Sequence, residues 1–447
     1  MPSVSNKAFA FTIVASVALI VVALAACRAA AQESQPASAP GASGPGPAVA
    51  LPQIPDRTFN VKDHGAVGDA ATDDANAIQA AIDAAGAAGG GSVVIPAGTF
   101  LSGPLKLADS IDLHLEEGAV LRMLPAERYP DPSDGEYRPL LHAYKLHDVM
   151  ISGPGKLEGQ GQAWWERFRA GAKTQRPEMI SAWRVERLAI RGVRLENAPM
   201  AHIDIGKSSD ITIDGISIVA PDDSPNTDGI DVWGTNVVIK NCSIASGDDH
   251  IAISGNTTNV SVTNCKLGVG HGIAIGSSTK GGVSNVAVDN CQFNGSDNAL
   301  RAKSNRKKGG VVQNVAYSNI TMTNVKYPVR FESVYDEDLK QAEQTQTQPA
   351  ADLTPVWKNF AFTNITATVV GEYGAGVLWG LPEAPMENFV FKNVKITAYK
   401  GFKVYFARGI VFSDDSSIQI TGSSAPLLLY QAEVKAPAGM TQGGPRP

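Results

Sequence analysis

The chain has 447 residues, a formal charge of -6 and only 18 % charged residues. That balance argues against a nucleic-acid partner, because phosphate binding calls for a basic face. Aromatics are scarce at 7 % while 44 glycines are present. With plentiful Val, Ile, Thr and Asn, this composition suits many short strands separated by turns.

Residues 1–31 read as a targeting segment. Lys7 precedes the apolar run "AFAFTIVASVALIVVALAA", which ends at small residues, the layout of a secretory signal. Two exits compete. "LAAC", Leu24 to Cys27, resembles a bacterial lipobox and would leave a lipidated Cys27 that ties the protein to the outer membrane. Ala29 to Ala31 suits ordinary signal peptidase and a secreted or periplasmic protein. A retained anchor is the third reading, since the run nears the ~20 residues that span a bilayer. Residues 32–54 are rich in Pro, Ala, Ser and Gly and read as a disordered linker, as does the tail 433–447. Function is therefore expected within residues 55–432, as one domain and one monomer.

"TDDANAIQAAIDAAGAAGGG", Thr72 to Gly91, predicts a short helix. Thr72 or Asp73 can cap its start, Gly86 can end it, and Ile78, Ala81, Ile82 and Ala85 form an apolar face. Beyond it, one phrase recurs: Asn or Asp, an apolar–X–apolar triplet, then X and Asn or Gly. It reads "DVMISG" at Asp148, "DITIDG" at Asp210, "NVVIKN" at Asn236, "NVSVTN" at Asn259 and "NVAVDN" at Asn285. It returns at Asn314, Asn359 and Asn388. The shortest steps are 23 and 26 residues. Such a period, with alternating apolar residues, implies one solenoid coil per repeat. No ten-residue amphipathic helix fits within a repeat, and the leucine phrase of leucine-rich repeats is missing. The expected fold is all-β, a right-handed parallel β-helix, with the helix capping its first coil. Asn241, Asn264, Asn290, Asn319, Asn364 and Asn393 should then stack at one turn, and Cys242, Cys265 and Cys291 one residue later. A buried thiol column is favoured there over a disulfide. Segments at about 125–140 and 336–357 interrupt the repeat as inserts.

The register brings charge together. Asp248 lies 12 residues after Asn236, and His271 lies 12 after Asn259. Equal offsets on consecutive coils stack the two. Asp228, in "NTDGID", belongs to the coil below, and Arg301 and Lys303, in "LRAKS", to the coil above His271. Each motif alone has a plainer reading, since NTDG and GDD are common turns and a lone His or Arg/Lys pair is common on surfaces. Their coincidence on successive rungs is what points to chemistry. Strand parity would turn Asp228 and Asp249 inward with Ile230 and Ile251, so bends at Gly229, Gly247 or Gly272, or half-burial of one Asp, are expected. Half-burial beside a second carboxylate raises one pKa, as a general acid requires.

These motifs resemble glycoside hydrolase family 28, the polygalacturonases. The family's "NTD", "DD" after Gly or Gln, "GHG" and "RIK" read here as Asn226-Thr227-Asp228, Gly247-Asp248-Asp249, Gly270-His271-Gly272 and Arg301-Ala302-Lys303. The resemblance covers about residues 55–420. It implies inverting hydrolysis of α-1,4-galacturonan in pectin, without metal or other cofactor. It implies Asp248 as the general acid, and Asp228 and Asp249 holding the water. His271 would tune the acid. Asn226, Arg301, Lys303 and Tyr335 would bind an acidic plant polysaccharide. An inverting pair must stand ~6.5–9.5 Å apart to admit water, which one rung of ~4.8 Å plus a lateral offset can reach. Ala302 replaces the family's Ile and is expected to point inward. Two alternatives stand beside this: a family member acting on rhamnogalacturonan or another decorated pectin, and a β-helix that only binds glycans.

Overall fold

The computed structural model describes residues 46–132, 135–173 and 175–444. The signal readings, including Cys27, lie outside the described residues. Among them are 33 strands, and every strand-to-strand pairing is parallel. Residues that lie 20 to 30 positions apart in sequence become neighbours one rung away, as Val237, Val260 and Val286 do. The chain winds as a right-handed parallel β-helix.

Three sheets run the length of the coil. The first holds Leu141–Tyr144, Ile180–Trp183, Ile251–Ile253, Ile273–Gly276, Asn298–Lys303, Tyr327–Glu332 and Gly374–Trp379, with the leading halves of longer strands such as Ile203–Asp214 and Ile230–Lys240. The second holds the recurring triplets, and the third the short strands such as Ser217–Val219 and Ser243–Ala245. The corner between the first and second sheets carries a left-handed residue in each of these coils. Asn236, Asn259, Asn285, Asn314, Asn359 and Asn388 occupy it at φ 56, 59, 57, 58, 61 and 59°. Asparagine tolerates this conformation better than other residues with a side chain, which explains the repeat's first letter.

Both asparagine positions form ladders. At the first corner, each Nδ2 donates one rung down: Asn236 to Asp210 (3.1 Å), Asn259 to Asn236 (3.1 Å), Asn285 to Asn259 (3.1 Å), and on through Asn314 and Asn359 to Asn388. The second corner carries the expected stack from Asn241 to Asn290 and from Asn319 to Asn393. It breaks once, where Asn319 donates to Asp289 at 2.7 Å instead of to Asn290. Cys242, Cys265 and Cys291 are buried free thiols, each donating to a backbone carbonyl two residues before it.

The main core is one continuous stack, with a smaller buried cluster of Trp379, Leu381, Tyr405 and Phe406 apart from it. Ile239, Val262 and Val288 are buried beneath Tyr317, Phe362, Phe391 and Phe412. The rings of Phe362, Phe391 and Phe412 lie face to face at 4.4 Å spacing. The capping helix spans Ala75–Ala87 and buries Ile78, Ala81, Ile82 and Ala85, as expected. Its ends differ from expectation. Asp74 occupies the N-cap position but sends its carboxylate to Val67 and Gly68 instead, and the helix runs through Gly86. A second helix, Gln162–Arg169, lacked a periodic signal because it is so short. Its Trp164 packs edge-on against Tyr129 and Tyr137, which fixes the insert near 125–140.

Contacts reach into both segments expected to be disordered. Gln53, placed in the linker, donates its backbone N–H to Asp148 Oδ1 at 2.9 Å. A strand, Leu427–Lys435, crosses the start of the tail at 433 and pairs with Gln442–Gly443. Apolar Leu427 and Met440 are buried there, and that burial holds the segment despite its Pro and Gly content.

Candidate active site

Five strands of the first sheet form the floor, in the register Ile203, Ile230, Ile251, Ile273, Leu300. All five side chains are buried. The acids come from the turns just before these strands, so the parity conflict resolves as a bend. Gly229 and Gly247 serve by close approach: a Cβ there would meet His250 O at 2.5 Å and Ser224 O at 2.0 Å. Only Gly272 of the three has a left-handed φ, +87°.

The stack of Asp248 and His271 is present. His271 N donates to Asp248 O at 2.8 Å, and Nδ1 lies 3.0 Å from Asp248 Oδ1. Strand register alone would put His271 over Asp249, because the "SGDDHI" turn holds one residue more than the "GHGI" turn. His250 absorbs the difference. It is fully buried and neutral, with Nε2–H donating to Val269 O (2.8 Å) and Nδ1 accepting from Gly272 N (3.1 Å). Burial holds its pKa down at about 4. His202 plays a like part below, donating from Nδ1 to Asp228 O at 3.0 Å.

Asp249 is 2 % exposed and is matched by two cations: Lys303 Nζ at 2.7 Å and Arg301 at 3.3 Å. The small residues Ala252, Ala274 and Gly276 leave the space across which both reach down two rungs. Ala302 points inward and is fully buried, as expected. Tyr335 joins this cluster, its ring 5.6 Å from the Arg301 guanidinium carbon and 5.4 Å from Lys303 Nζ. Asn226 sits at φ 52° and donates to Asp248 Oδ2 at 3.5 Å. The eight candidate residues, seven from the motifs and Tyr335 from the resemblance, lie in one cluster.

The electrostatics divide the acids. Burial, then the charges of Asp248 and Asp249, push Asp228 up to about 8. Burial would raise Asp248 as well, but the hydrogen bond and charge of His271, with Lys303, bring it below the usual value. The same bond raises His271. The half-buried carboxyl that keeps a proton is therefore Asp228, whereas Asp248 stands ionised against His271.

Several residues went unread in the sequence. Asp231 closes the phrase "NTDGID", and Asp204 is its partner one rung down. They share a column with Arg301, and burial drives both acids' pKa upward. Among the described residues, Asp231 Oδ1 has no hydrogen-bond partner. Trp183 donates to Asp204 at 2.8 Å and meets Trp233 edge-on at 5.5 Å. Together with Asp228, Asp249 and Lys303 they line a groove of about 330 Å³. Arg176, buried and donating to Pro199 O, Pro225 O and Asn226 Oδ1, holds the "NTD" turn. Thr227 accepts from Gly247 N at 3.0 Å and ties that turn to the next. The alternation around Asp231 was the available signal; Arg176 had none, because its hydrogen bonds all go to distant segments.

Among the described residues, Asp248, Asp249 and His271 present ligand-type atoms within 4.8 Å of one another. Both Asp249 oxygens already face Arg301 and Lys303, so a metal ion would have to displace them.

The family profile described as glycosyl hydrolases family 28 matches residues 87–407, and that of rhamnogalacturonase A/epimerase, pectate lyase-like, matches residues 58–114. A probable polygalacturonase of Arabidopsis thaliana is 36 % identical over 355 residues, 77 % of this chain and 75 % of that protein. An endo-polygalacturonase of Pectobacterium parmentieri is 32 % identical over 328 residues, 67 % of this chain and 78 % of that one. The solved polygalacturonase of Erwinia carotovora ssp. carotovora superposes with a TM-score of 0.66 at 28 % identity, covering 84 % of this chain and 98 % of that one. Fold, groove and sequence agree, and the chain belongs to glycosyl hydrolases family 28 as a glycoside hydrolase.

Proposed function

We propose that this groove hydrolyses α-1,4-galacturonan with inversion, within the general pectin and polygalacturonate hydrolysis that family membership carries. The observation that supports it most is the juxtaposition of Asp228, Asp248 and Asp249 with His271 on one side and Arg301, Lys303 and Tyr335 on the other. A uronate carboxylate suits the two cations, and the three acids suit water activation and proton donation.

In this reading Asp248 gives its proton to the leaving oxygen, and Asp228 and Asp249 hold and activate water. The free groove keeps its proton on Asp228, so binding must relocate one. A sugar carboxylate arriving at Arg301 and Lys303 adds negative charge beside Asp248, which raises its affinity for a proton. The acids titrate as a set, so the move needs only a redistribution among them. His271 steadies Asp248 in both states. Asn226 positions the acid, and Tyr335 offers its ring beside the bound sugar.

The same reading places the protein outside the cytoplasm, either free or anchored through Cys27, as a monomer acting on an acidic plant polysaccharide. Replacing Asp248 by Asn should leave the fold intact and cut turnover about 10²–10⁴-fold. The measurement is reducing-end release from polygalacturonate, with the anomeric form of the first product followed by NMR. Inverted product with no unsaturated-sugar absorbance supports the proposal. Retained configuration, or near-normal turnover by the Asn variant, sinks it.

A further inference from the structure

Further along the same sheet lies a pocket of about 600 Å³ that no motif predicted. Register ties it to the groove. Arg330 sits one rung beyond Arg301, and Lys403 two rungs beyond Arg330. Its walls carry four cations, Arg330, Lys340, Lys400 and Lys403, against two carboxylates, Glu332 and Glu372. Local positive charge of this kind is unusual on a chain whose formal charge is -6. Arg330 is paired with Glu332 at 2.9 Å and lies over the Tyr327 ring at 5.0 Å. Among the described residues, neither Lys400 nor Lys403 has a carboxylate within ion-pair distance. Burial, then the charges of Lys400 and Arg330, lower the Lys403 pKa. Lys340 is paired with Asp338, and Glu332 offsets only part of the charge of Arg330 and Lys403; the excess of cations costs stability unless an anion arrives.

Three rings share the wall with Leu339, Val377 and three glycines. Tyr327 and Tyr373 meet edge-on at 5.4 Å. Trp379 is fixed by Nε1 donating to Thr345 Oγ1 at 3.1 Å, a contact from the insert at 336–357. Rings that are already ordered offer sugar faces a surface at little entropic cost.

We propose that Arg330, Lys400 and Lys403, with Tyr327, Tyr373 and Trp379, form a remote anion-binding pocket for uronate units of the polysaccharide, several sugars beyond Arg301. The proposal rests on galacturonan as the substrate, and the separation of three rungs, ~14 Å, makes it testable by chain length. Lys400 is exposed, so Lys400→Ala leaves the core untouched; Lys403→Ala removes the half-buried charge. For each, KM for polygalacturonate should rise about 5–10-fold, the loss of a charge-assisted contact. That rise should shrink as oligogalacturonides become too short to span Arg301 and Lys403. A rise of equal size at every length, or no rise, overturns the pocket. Calorimetric binding of polygalacturonate, with each Lys variant also carrying Asp248→Asn, separates the two proposals. Weaker binding than Asp248→Asn alone supports the pocket even if the wild type proves not to cut the polymer, and equal binding rejects it in either case.

Discussion

Asp228 shows how a single residue can oppose its own fold. An unfolded aspartate releases its proton near ~3.9, whereas the folded protein keeps it up to about 8. Between those values the folded chain binds more protons than the unfolded one, so stability falls as pH rises through the window. Below it, both states are protonated and the difference vanishes. Asp228→Asn should therefore stabilise the protein clearly at pH 8 and very little at pH 4. Thermal midpoints at the two pH values check this; an equal gain at both would show that buried charge is not the cause. Sequence parity did foresee a half-buried acid. It could not say which one, because the answer depends on His271 and Lys303 reaching Asp248 and Asp249 from other coils.

At the level of the element, the corner asparagines do two jobs at once. Each adopts a left-handed turn and donates an amide bond along the axis. Asn285 lies mid-ladder, between Asn259 and Asn314. Replacement by Gly keeps the turn and loses the bonds, each worth about 0.5–1.5 kcal/mol. Replacement by Ala loses both and should cost about 1 kcal/mol more. Denaturant unfolding of the two variants separates the contributions; equal losses would deny the conformational part. The repeat made one ladder legible, since equal offsets imply stacking. The break at Asn319 was not legible, because Asp289 and Asn290 adjoin on the previous coil and spacing cannot choose between two neighbouring acceptors.

For the whole molecule, stability is carried along the axis by one stack. The aliphatic coils near Ile239 give way to rings at Phe360, Phe362, Phe389 and Phe391. Phe389 lies 4.5 Å from Phe360 and is fully buried. Phe389→Ala should cost about 3–5 kcal/mol, read from the unfolding midpoint, and a loss below 1 kcal/mol would mean that the coils there repack freely. The sequence by itself determined the coil, its capping helix and the order of the rungs, because a period in the twenties and period-2 alternation are local properties of the chain; the eight candidate site residues came from the motifs together with the family resemblance. Only the tertiary structure decided which of the three motif acids keeps its proton, that Asp204 and Asp231 complete the groove while Arg176 holds the turn beside it, and that Lys400 and Lys403, without an ion-pair partner among the described residues, gather on a neighbouring stretch of the same sheet. Those features arise from side chains of separate coils meeting in low-dielectric space, and no one-dimensional spacing carries that information.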